Sequence, residues 1–169
     1  DGVGYYQLTQ RNARRSSAAM AYLAPNRGRS NLTVRTGAPV RRIVINDGRA
    51  TGVELMDGTL LEAASEVILS SGAIGSPRLL MLSGIGPAEH VREHGIAVVH
   101  DLSGVGNNLQ DHVAIGVRYR ALTPQSHLRY LNPLHGAAAL ARYLFLKSGP
   151  LTDSGMEAVA FVRSHPALE

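Results

Sequence analysis

The stretch from Leu69 to Gly86 constrains the fold more than any other part of the chain. An apolar run ends in the small residues Ser70 to Ala73, and Ser76-Pro77 then begins a leucine-rich helix. Proline fits the first turn of a helix because that position needs no backbone N–H donor. Small residues at a strand end let a ligand approach the backbone, and a helix N-terminus favours anions. The stretch therefore predicts a strand-turn-helix unit that either binds such a ligand or packs its helix tightly on a sheet.

Strand patterns precede and follow this unit. Val40–Ile45 and Ala50–Leu55 are separated by Asn46-Asp47-Gly48, which predicts a hairpin, and Met56–Thr59 predicts a second Asp-Gly turn. Glu66–Ser70 is a continuous apolar run typical of a buried strand in a parallel sheet. Shorter strands are predicted at Tyr5–Thr9, Leu32–Val34, Val98–Val99, Val113–Tyr119 and Met156–Val162.

Helical patterns occupy three further segments. Arg14–Leu23 is rich in alanine, and Ala88–His94 is a short polar segment closed by Gly95. Pro133–Leu146 is apolar and ends at a Lys-Ser-Gly-Pro stop. Strands and helices together predict a mixed α/β fold.

Composition excludes several classes of function. Cysteine is absent, which excludes a disulfide scaffold, a thiolate metal site and a cysteine nucleophile. No apolar run approaches the roughly 18–20 residues that a membrane-spanning helix needs. Residues 1–42 contain eight arginines and one acidic residue, a net charge of +7, and the rest contains nine basic and twelve acidic residues, a net charge of −3. Such a basic segment is typical of a solvated face or of a contact with acidic protein. Aromatic residues make up only 5% of the chain, so we do not expect nucleic acid as a partner.

The histidines offer two candidate sites, and we expect neither to be functional. His90 and His94 lie at the i, i+4 spacing of a metal pair, but the sequence places no third ligand beside them, so we predict an exposed helix surface. His112 follows Asp111 in a loop, where a general base and a structural loop residue are both open, the second being favoured. The predicted site therefore contains no metal ligand.

The identities within Gly72–Gly86 resemble, without a break, the second signature of the glucose-methanol-choline (GMC) oxidoreductases, FAD-dependent enzymes that act on alcohols. The similarity is specific up to His112 and looser beyond it, and it is closest to choline-dehydrogenase-like and alcohol-dehydrogenase-like members. Ala13 stands where many members have glycine. Further matching blocks are Arg14–Leu23, Asn31–Thr36, Val40–Ile43, Gly52–Glu54, Gly84–Pro87, Gly95-Ile96 and Gly104–His112.

The resemblance implies a domain organisation and a cofactor site. Residues 1–30 would be a shared N-terminal segment, 31–112 part of an FAD-binding domain, and 113–169 the start of a substrate-binding domain built on an antiparallel sheet. Family members bind the FAD adenine through the backbone of the valine that matches Val40. The alternative role for Val40 is that of an ordinary residue in the core of a strand. Ser71 and Gly72 would lie near the ADP half of FAD, and the loop from Asn107 to His112 would line the flavin pocket.

The family pattern also implies what this chain lacks. The Gly-x-Gly-x-x-Gly loop that binds FAD and the acidic residue that follows it do not occur in the sequence, and the family's catalytic histidine comes from later in the chain. We therefore expect the central third of an FAD-dependent enzyme that oxidises a small alcohol, with no catalytic residue in this segment, no activity and weak or no FAD binding by the segment alone. The alternative is a non-catalytic module that self-associates through exposed apolar faces. A cytoplasmic location is favoured by the lack of cysteine.

Overall fold

The computed structural model of the chain describes residues 2–117, 119, 122, 126–153, 155, 158–163 and 165. The chain divides into two compact units, one formed by residues 1–33 and 116–169 and the other by residues 34–115. Strands and helices are mixed in both, which confirms the predicted α/β character. The strands are β1 (Gly2–Tyr5), β2 (Gln10–Arg11), β3 (Arg14–Arg15), β4 (Val40–Asn46), β5 (Arg49–Leu55), β6 (Leu60–Glu62), β7 (Ile85–Gly86), β8 (His100–Asp101) and β9 (Ala158–Phe161), and the α-helices are α1 (Gly72–Leu82), α2 (Ala88–Glu93) and α3 (Pro133–Leu146).

An antiparallel sheet in the order β4-β5-β6 forms one side of the unit of residues 34–115. Asp47 and Gly48 have φ angles of 50° and 75°, the pair of positive values that a tight two-residue hairpin requires. This turn sets the pairing of Asn46 with Arg49 and, at the far end, of Val40 with Leu55. The hairpin predicted from Asn46-Asp47-Gly48 is therefore confirmed.

The core of this unit lies where α1 packs against β4 and α2 packs against β7. The exposed fractions of Ile43, Leu55 and Val91 are only 6%, 3% and 1%. Ser83, which follows α1, is also buried, and its hydroxyl accepts the N–H of Ile43 at 2.8 Å. Since β4 is an edge strand, this bond supplies the partner that a further strand would otherwise provide. The serine thus fixes α1 against the sheet.

The segment after α1 turns sharply to form a parallel pair, β7 with β8. Gly84 has a φ of +85°, and a side chain there would collide with the carbonyl of Ala97 and the side chain of Val99. The N–H of Val99 donates to the carbonyl of Gly84 at 2.8 Å, and the paired strand follows one residue later at His100. The strand predicted at Val98–Val99 is therefore displaced by two residues.

The other unit, residues 1–33 and 116–169, begins with two short antiparallel pairs, β1 with β9 and β2 with β3. Asn12 and Ala13, with φ of 52° and 58°, form the turn between β2 and β3. The helix predicted at Arg14–Leu23 is therefore wrong in its first half, because Arg14 and Arg15 pair back on β2. Only Ala19–Leu23 is helical, as a single wide turn that continues into a 3-10 turn at Ala24–Asn26.

Helix α3 confirms the bounds predicted from the sequence. The side chain of Asn132 accepts the N–H of Leu134 at 3.0 Å, and Pro133 occupies the first helical position. Lys147 ends the helix in the left-handed region with a φ of 50°. Gly136 lies against the carbonyl of Tyr130 in the preceding 3-10 turn, His127–Leu131, where a side chain would come within 2.8 Å.

Two central predictions from the sequence are wrong in this structure. Glu66–Ser70 makes no strand pairing among the described residues, since the three-stranded sheet of this unit is antiparallel throughout; Ile68 is 78% exposed. Helix α1 begins at Gly72 instead of Ser76-Pro77. A positive φ of 82° at Gly72 turns the chain into the helix earlier, and Pro77 lies inside it.

The remaining short strands differ in extent from the prediction. Strand β1 ends at Tyr5, so Tyr6–Thr9 lies outside it, and the N–H of Gln10 donates to the carbonyl of Leu8 in a tight turn. Leu32–Val34 and residues 113–117 and 119 are unpaired in the described structure, and Arg118 lies outside the described residues. Strand β9, Ala158–Phe161, lies within the strand predicted at Met156–Val162. Met156 and Glu157 lie outside the described residues. In the described part of the chain, no helix combines the length and apolar character needed to cross a membrane.

Candidate functional site

The start of α1 carries two of the residues that the sequence singles out. Ser71 precedes the helix with φ −86° and ψ 9°, and its N–H donates to the hydroxyl of Ser76 at 3.1 Å. Gly72 adopts φ +82°, and no atom lies within 4 Å of the position a side chain would occupy. Gly75 allows this tight turn, since a side chain there would come within 2.9 Å of Ser71. The backbone at Gly72 is therefore open to solvent and to a ligand.

The electrostatics of this helix start favour an anion. The first N–H groups of a helix have no partner within it, and the helix dipole adds a partial positive charge. The first turn of α1 contains no acidic side chain that would occupy these donors. A helix start of this kind favours a negatively charged group.

Val40, the third predicted residue, lies on a different element as the first residue of β4. It pairs with Leu55, but the register shifts between Val40 and Arg42, which marks a β-bulge. The residue left out of the ladder is Arg41, so the backbone groups that lack strand partners are those next to Val40. Val40 is an exposed strand residue, with 37% of its surface accessible. The bulge gives a physical basis for a ligand contact made through the backbone.

Two arginines and one glutamate fix the strand beside this bulge. Glu54 on β5 accepts from Arg41 at 3.0 Å and from Arg42 at 2.7 Å. The Glu54 side chain is only 13% exposed, whereas Arg41 and Arg42 are 63% and 46% exposed. One carboxylate therefore holds both residues that follow Val40.

The structure brings Ser71 and Gly72 together but does not join Val40 to them directly. In the described part of the chain no hydrogen bond links Val40 with either residue. The connection runs through the helix: β4 contacts the residue that follows α1, Ser83, while Ser71 and Gly72 lie at its other end. Eleven helical residues separate these ends, a length of about 16 Å at about 1.5 Å per residue. Whether all three contact one ligand stays a prediction.

A cleft beside α1 joins the loop predicted to line the flavin pocket to helix residues that sequence reasoning did not single out as a site. It has a volume of about 490 Å³ and lies between one face of the helix and the loop that follows β8. Arg78 is the one charged side chain in its lining. The lining residues are Ala73, Ile74, Pro77, Arg78 and Met81 of the helix and Gly106, Asn107, Asn108, Leu109 and Gln110 of the loop. The spacing of Ala73, Pro77 and Met81 by four residues is the signal that predicts their common face.

Met81 packs against two glycines, of which Gly106 lines this cleft. Its side chain lies 2.7 Å from the position a side chain on Gly86 would take and 3.5 Å from that on Gly106. Gly106 has a φ of +82°, which favours glycine on backbone grounds alone. The cleft thus brings Asn107–Gln110, part of the Asn107–His112 loop predicted to line a flavin pocket, against the helix that begins at Gly72.

The histidines occupy exposed positions. The N–H of His112 donates to the carboxylate of Asp111 at 2.8 Å. The rings of His90, on α2, and His94, which follows the helix, lie edge to face with their centroids 4.7 Å apart, and His90 Nδ1 is 3.9 Å from Glu93 Oε2. Among the described residues, no group of three histidine, cysteine, aspartate or glutamate side chains could hold a metal ion.

Comparison with known proteins identifies relatives of this chain. Residues 1–114 match the family model for GMC oxidoreductase. The oxygen-dependent choline dehydrogenase of Brucella anthropi is 42% identical over 172 residues, which cover 100% of this chain and 31% of that protein. The chloroplastic fatty acid photodecarboxylase of Chlamydomonas reinhardtii is 40% identical over 185 residues, covering 99% and 30%.

A solved structure shares the fold. An FAD-dependent oxidoreductase from Chaetomium thermophilum superposes with a TM-score of 0.79 at 28% identity, covering 93% of this chain and 29% of that one. The chain therefore spans about a third of the length of the relatives it matches.

Proposed function

The chain belongs to the GMC oxidoreductase family, and from this membership we propose that it acts within a longer flavoprotein that oxidises a small alcohol. FAD would supply the hydride acceptor for that oxidation. The observation that carries the proposal is the open, anion-favouring start of α1 at Gly72, which begins the family's signature segment. The relationship to a choline dehydrogenase supports an alcohol as substrate.

The residues of this chain would bind and orient the cofactor. The N–H groups at the start of α1 would hold an anionic group of the ADP half, with Ser71 and Gly72 beside it. The backbone at the Val40 bulge would contact the adenine, and the Glu54 carboxylate would keep that bulge in place through Arg41 and Arg42. The loop Asn107–Gln110 would form one wall of the flavin pocket.

No residue of this segment would act as the base that accepts the proton of the alcohol. His112 is exposed, and the family's base lies later in the sequence than the matched region. We assign to residues 31–112 part of the FAD-binding domain and to residues 113–169 the start of the substrate domain. We also propose a cytoplasmic location.

The experiment is an anaerobic titration of the full-length protein. Purified protein should carry FAD, and choline or another primary alcohol should bleach its oxidised flavin absorbance. A long-chain fatty acid under illumination is the comparison substrate, because a related protein is named for that reaction. A flavin whose absorbance no alcohol bleaches contradicts the proposal. A purified protein without flavin also contradicts it.

A second experiment concerns the 169-residue chain alone. Mixed with FAD, it should bind weakly or not at all, since the Gly-x-Gly-x-x-Gly loop is absent from its sequence. Stoichiometric, tight binding measured by flavin absorbance after gel filtration would overturn this expectation.

We propose self-association of the isolated chain as the alternative role. Alternate apolar side chains of residues 113–119 are almost fully solvated: Val113 is 92% exposed, Ile115 84% and Tyr119 92%. Such a row is typical of a strand edge that takes up a partner strand. Gel filtration at two concentrations tests this role, and a strict monomer at both contradicts it.

A further inference from the structure

The side chain of Met81, in the last turn of α1, contacts two glycines that belong to different segments. Its Cγ lies 2.7 Å from the position that a Cβ on Gly86, in β7, would occupy. Its terminal Cε lies 3.5 Å from the corresponding position on Gly106, in the loop that follows β8. The stem of this side chain therefore packs on β7, and its end packs on the loop.

The space beside Gly86 is closed on another side by the core. Gly86 is buried, and Cγ2 of Val91 lies 3.4 Å from the position of its missing Cβ. Val91 is only 1% exposed, so it has no free space to move into, because protein interiors are close-packed. Met81 is half-buried and lines the cleft of about 490 Å³ beside α1. Since methionine is flexible, a methyl group added at Gly86 would displace Met81 into the cleft.

The loop after β8 is held together by its own hydrogen bonds. The N–H of Val105 donates to the carbonyl of Leu102 at 3.1 Å, and the N–H of Asn107 donates to the carbonyl of Gly104 at 3.2 Å. Among the described residues, no hydrogen bond joins residues 103–110 to α1. The distance between this loop and the helix therefore depends on side-chain packing.

We propose that Met81 sets the width of this cleft, and that Gly86, which does not line the cleft, acts on the flavin pocket through Met81. The inference rests on the function proposed above, in which Asn107–Gln110 forms one wall of that pocket. Gly86 leaves room for the stem of the methionine, and Gly106 leaves room for its terminal methyl group. Met81 and Gly86 are therefore positioning residues for the cofactor.

A packing role that is only structural would change the stability of the protein and nothing else. The absorbance spectrum of a bound flavin depends on the surroundings of its ring system. Hydrogen exchange reports the local opening of individual backbone amides. Both are therefore measured together with urea unfolding, which gives the stability of each variant.

The first test is a double-variant cycle in the full-length flavoprotein. Gly86→Ala should shift the flavin absorbance maximum and raise the dissociation constant for FAD by about tenfold, the effect of one overpacked contact. Backbone strain does not contribute, because the φ of Gly86 lies outside the left-handed region. Met81→Ala removes the side chain that would be displaced, so Gly86→Ala should have no further effect in that background. We therefore expect the two changes to be non-additive.

The second test is hydrogen exchange of the loop, which does not require flavin. Met81→Ala should speed exchange of the Val105 and Asn107 amides by about tenfold, because the loop loses its contact with the helix. Met81→Leu keeps an apolar side chain beside Gly86 but lacks the terminal methyl group that reaches the loop. This variant should keep the urea midpoint of the wild type, and exchange of the two amides should still rise.

Two control variants lie in the same unit. Met56→Ala removes an exposed methionine, and Ile43→Val shortens a buried side chain of the core. Both should leave the flavin spectrum and the exchange of the loop amides as they are in the wild type. Ile43→Val also shows whether a loss of stability alone can alter either measurement.

Three results would overturn the inference and leave the proposed function intact. The first is a Gly86→Ala flavoprotein with the spectrum and FAD affinity of the wild type, and the second is additive effects of the Gly86 and Met81 variants. The third is unchanged exchange of the loop amides in Met81→Ala and Met81→Leu. A full-length protein without flavin contradicts the proposed function and, with it, the role of Met81 in a flavin pocket.

Discussion

The N–H of Ile43 donates to the hydroxyl of Ser83 across 2.8 Å, and the same hydroxyl donates to the carbonyl of Leu79 at 2.6 Å. One buried hydroxyl therefore accepts a hydrogen bond from the edge strand β4 and donates one to a carbonyl of α1. These two elements carry Val40 at one end and Gly72 at the other. The relation between the two parts of the candidate site depends on this contact.

Replacing Ser83 should destabilise the protein. Ser83→Ala leaves the Ile43 N–H buried without an acceptor, which costs about 1–3 kcal/mol of unfolding free energy. Urea unfolding measures the change, and Ser65→Ala, at an exposed position of the same unit, is the control. An equal effect of the two variants would show that the hydroxyl bridge contributes nothing.

Ala13 offers a stabilising change. It has a φ of 58° in the turn between β2 and β3, a conformation that disfavours a side chain, and many family members have glycine at this position. Ala13→Gly relieves about 1–2 kcal/mol of strain, partly offset by about 0.5–1 kcal/mol of glycine entropy. The net effect should be a small rise in the thermal midpoint. A fall would mean that the Ala13 methyl group, which lines a pocket together with Leu8 and Arg15, contributes to packing there.

Gly84 should tolerate no side chain. Its φ is +85°, and an added methyl group would lie 2.8 Å from Val99 and closer still to the Ala97 carbonyl. Gly84→Ala should therefore cost about 2–5 kcal/mol, from strain and from overpacking together. Gly95, with φ +70° and open space, separates the two effects, because Gly95→Ala should cost only about 1–2 kcal/mol. Equal losses of unfolding free energy in the Gly84 and Gly95 variants, measured with urea, would contradict the predicted collision at Gly84.

Replacing the carboxyl group of Asp57 should change how the stability of the protein depends on pH. Its pKa lies below the ordinary value of 3.8, chiefly because the N–H of Thr59 donates to it at 2.9 Å. A lowered pKa contributes stability that is complete above 3.8 and is lost as the pH falls through the folded value. Asp57→Asn keeps an acceptor but removes the titration, so its stability should fall less steeply in that acidic range. Glu62→Gln, an exposed carboxylate of the same sheet, is the comparison, and identical acid limbs for wild type and Asp57→Asn would contradict the prediction.

Local chemistry explains which elements the sequence predicts well. Asp47-Gly48 determines its hairpin because only those residues adopt the two positive φ angles readily, and Asn132-Pro133 and Lys147–Pro150 determine the ends of α3. The helix predicted at Arg14–Leu23 fails because alanine-rich composition does not reveal that Asn12 and Ala13 turn the chain back. Glu66–Ser70 fails because a buried parallel strand needs neighbours that this antiparallel sheet does not provide.

The candidate site was predictable only in part. Ser71 and Gly72 follow from the small-residue turn before a helix, but Val40 follows only from family resemblance, since a valine in a strand carries no signal of its own. The bulge beside it depends on the pairing of β4 with β5. The cleft at Met81 depends on tertiary packing, which brings Gly106 to the helix.

The last prediction separates a ligand contact at Gly72 from a purely structural role. Gly72 and Gly95 share a positive φ, of 82° and 70°, and both have open space where a side chain would lie. Alanine at either position should therefore cost about the same 1–2 kcal/mol of stability. If FAD approaches the backbone at Gly72, only Gly72→Ala should also lower the flavin content of the full-length protein and raise the dissociation constant for added FAD. Flavin absorbance per protein, together with urea unfolding, distinguishes the two. Equal flavin content in both variants would place the cofactor away from Gly72, because a methyl group at a contacted backbone cannot be accommodated without displacing the ligand.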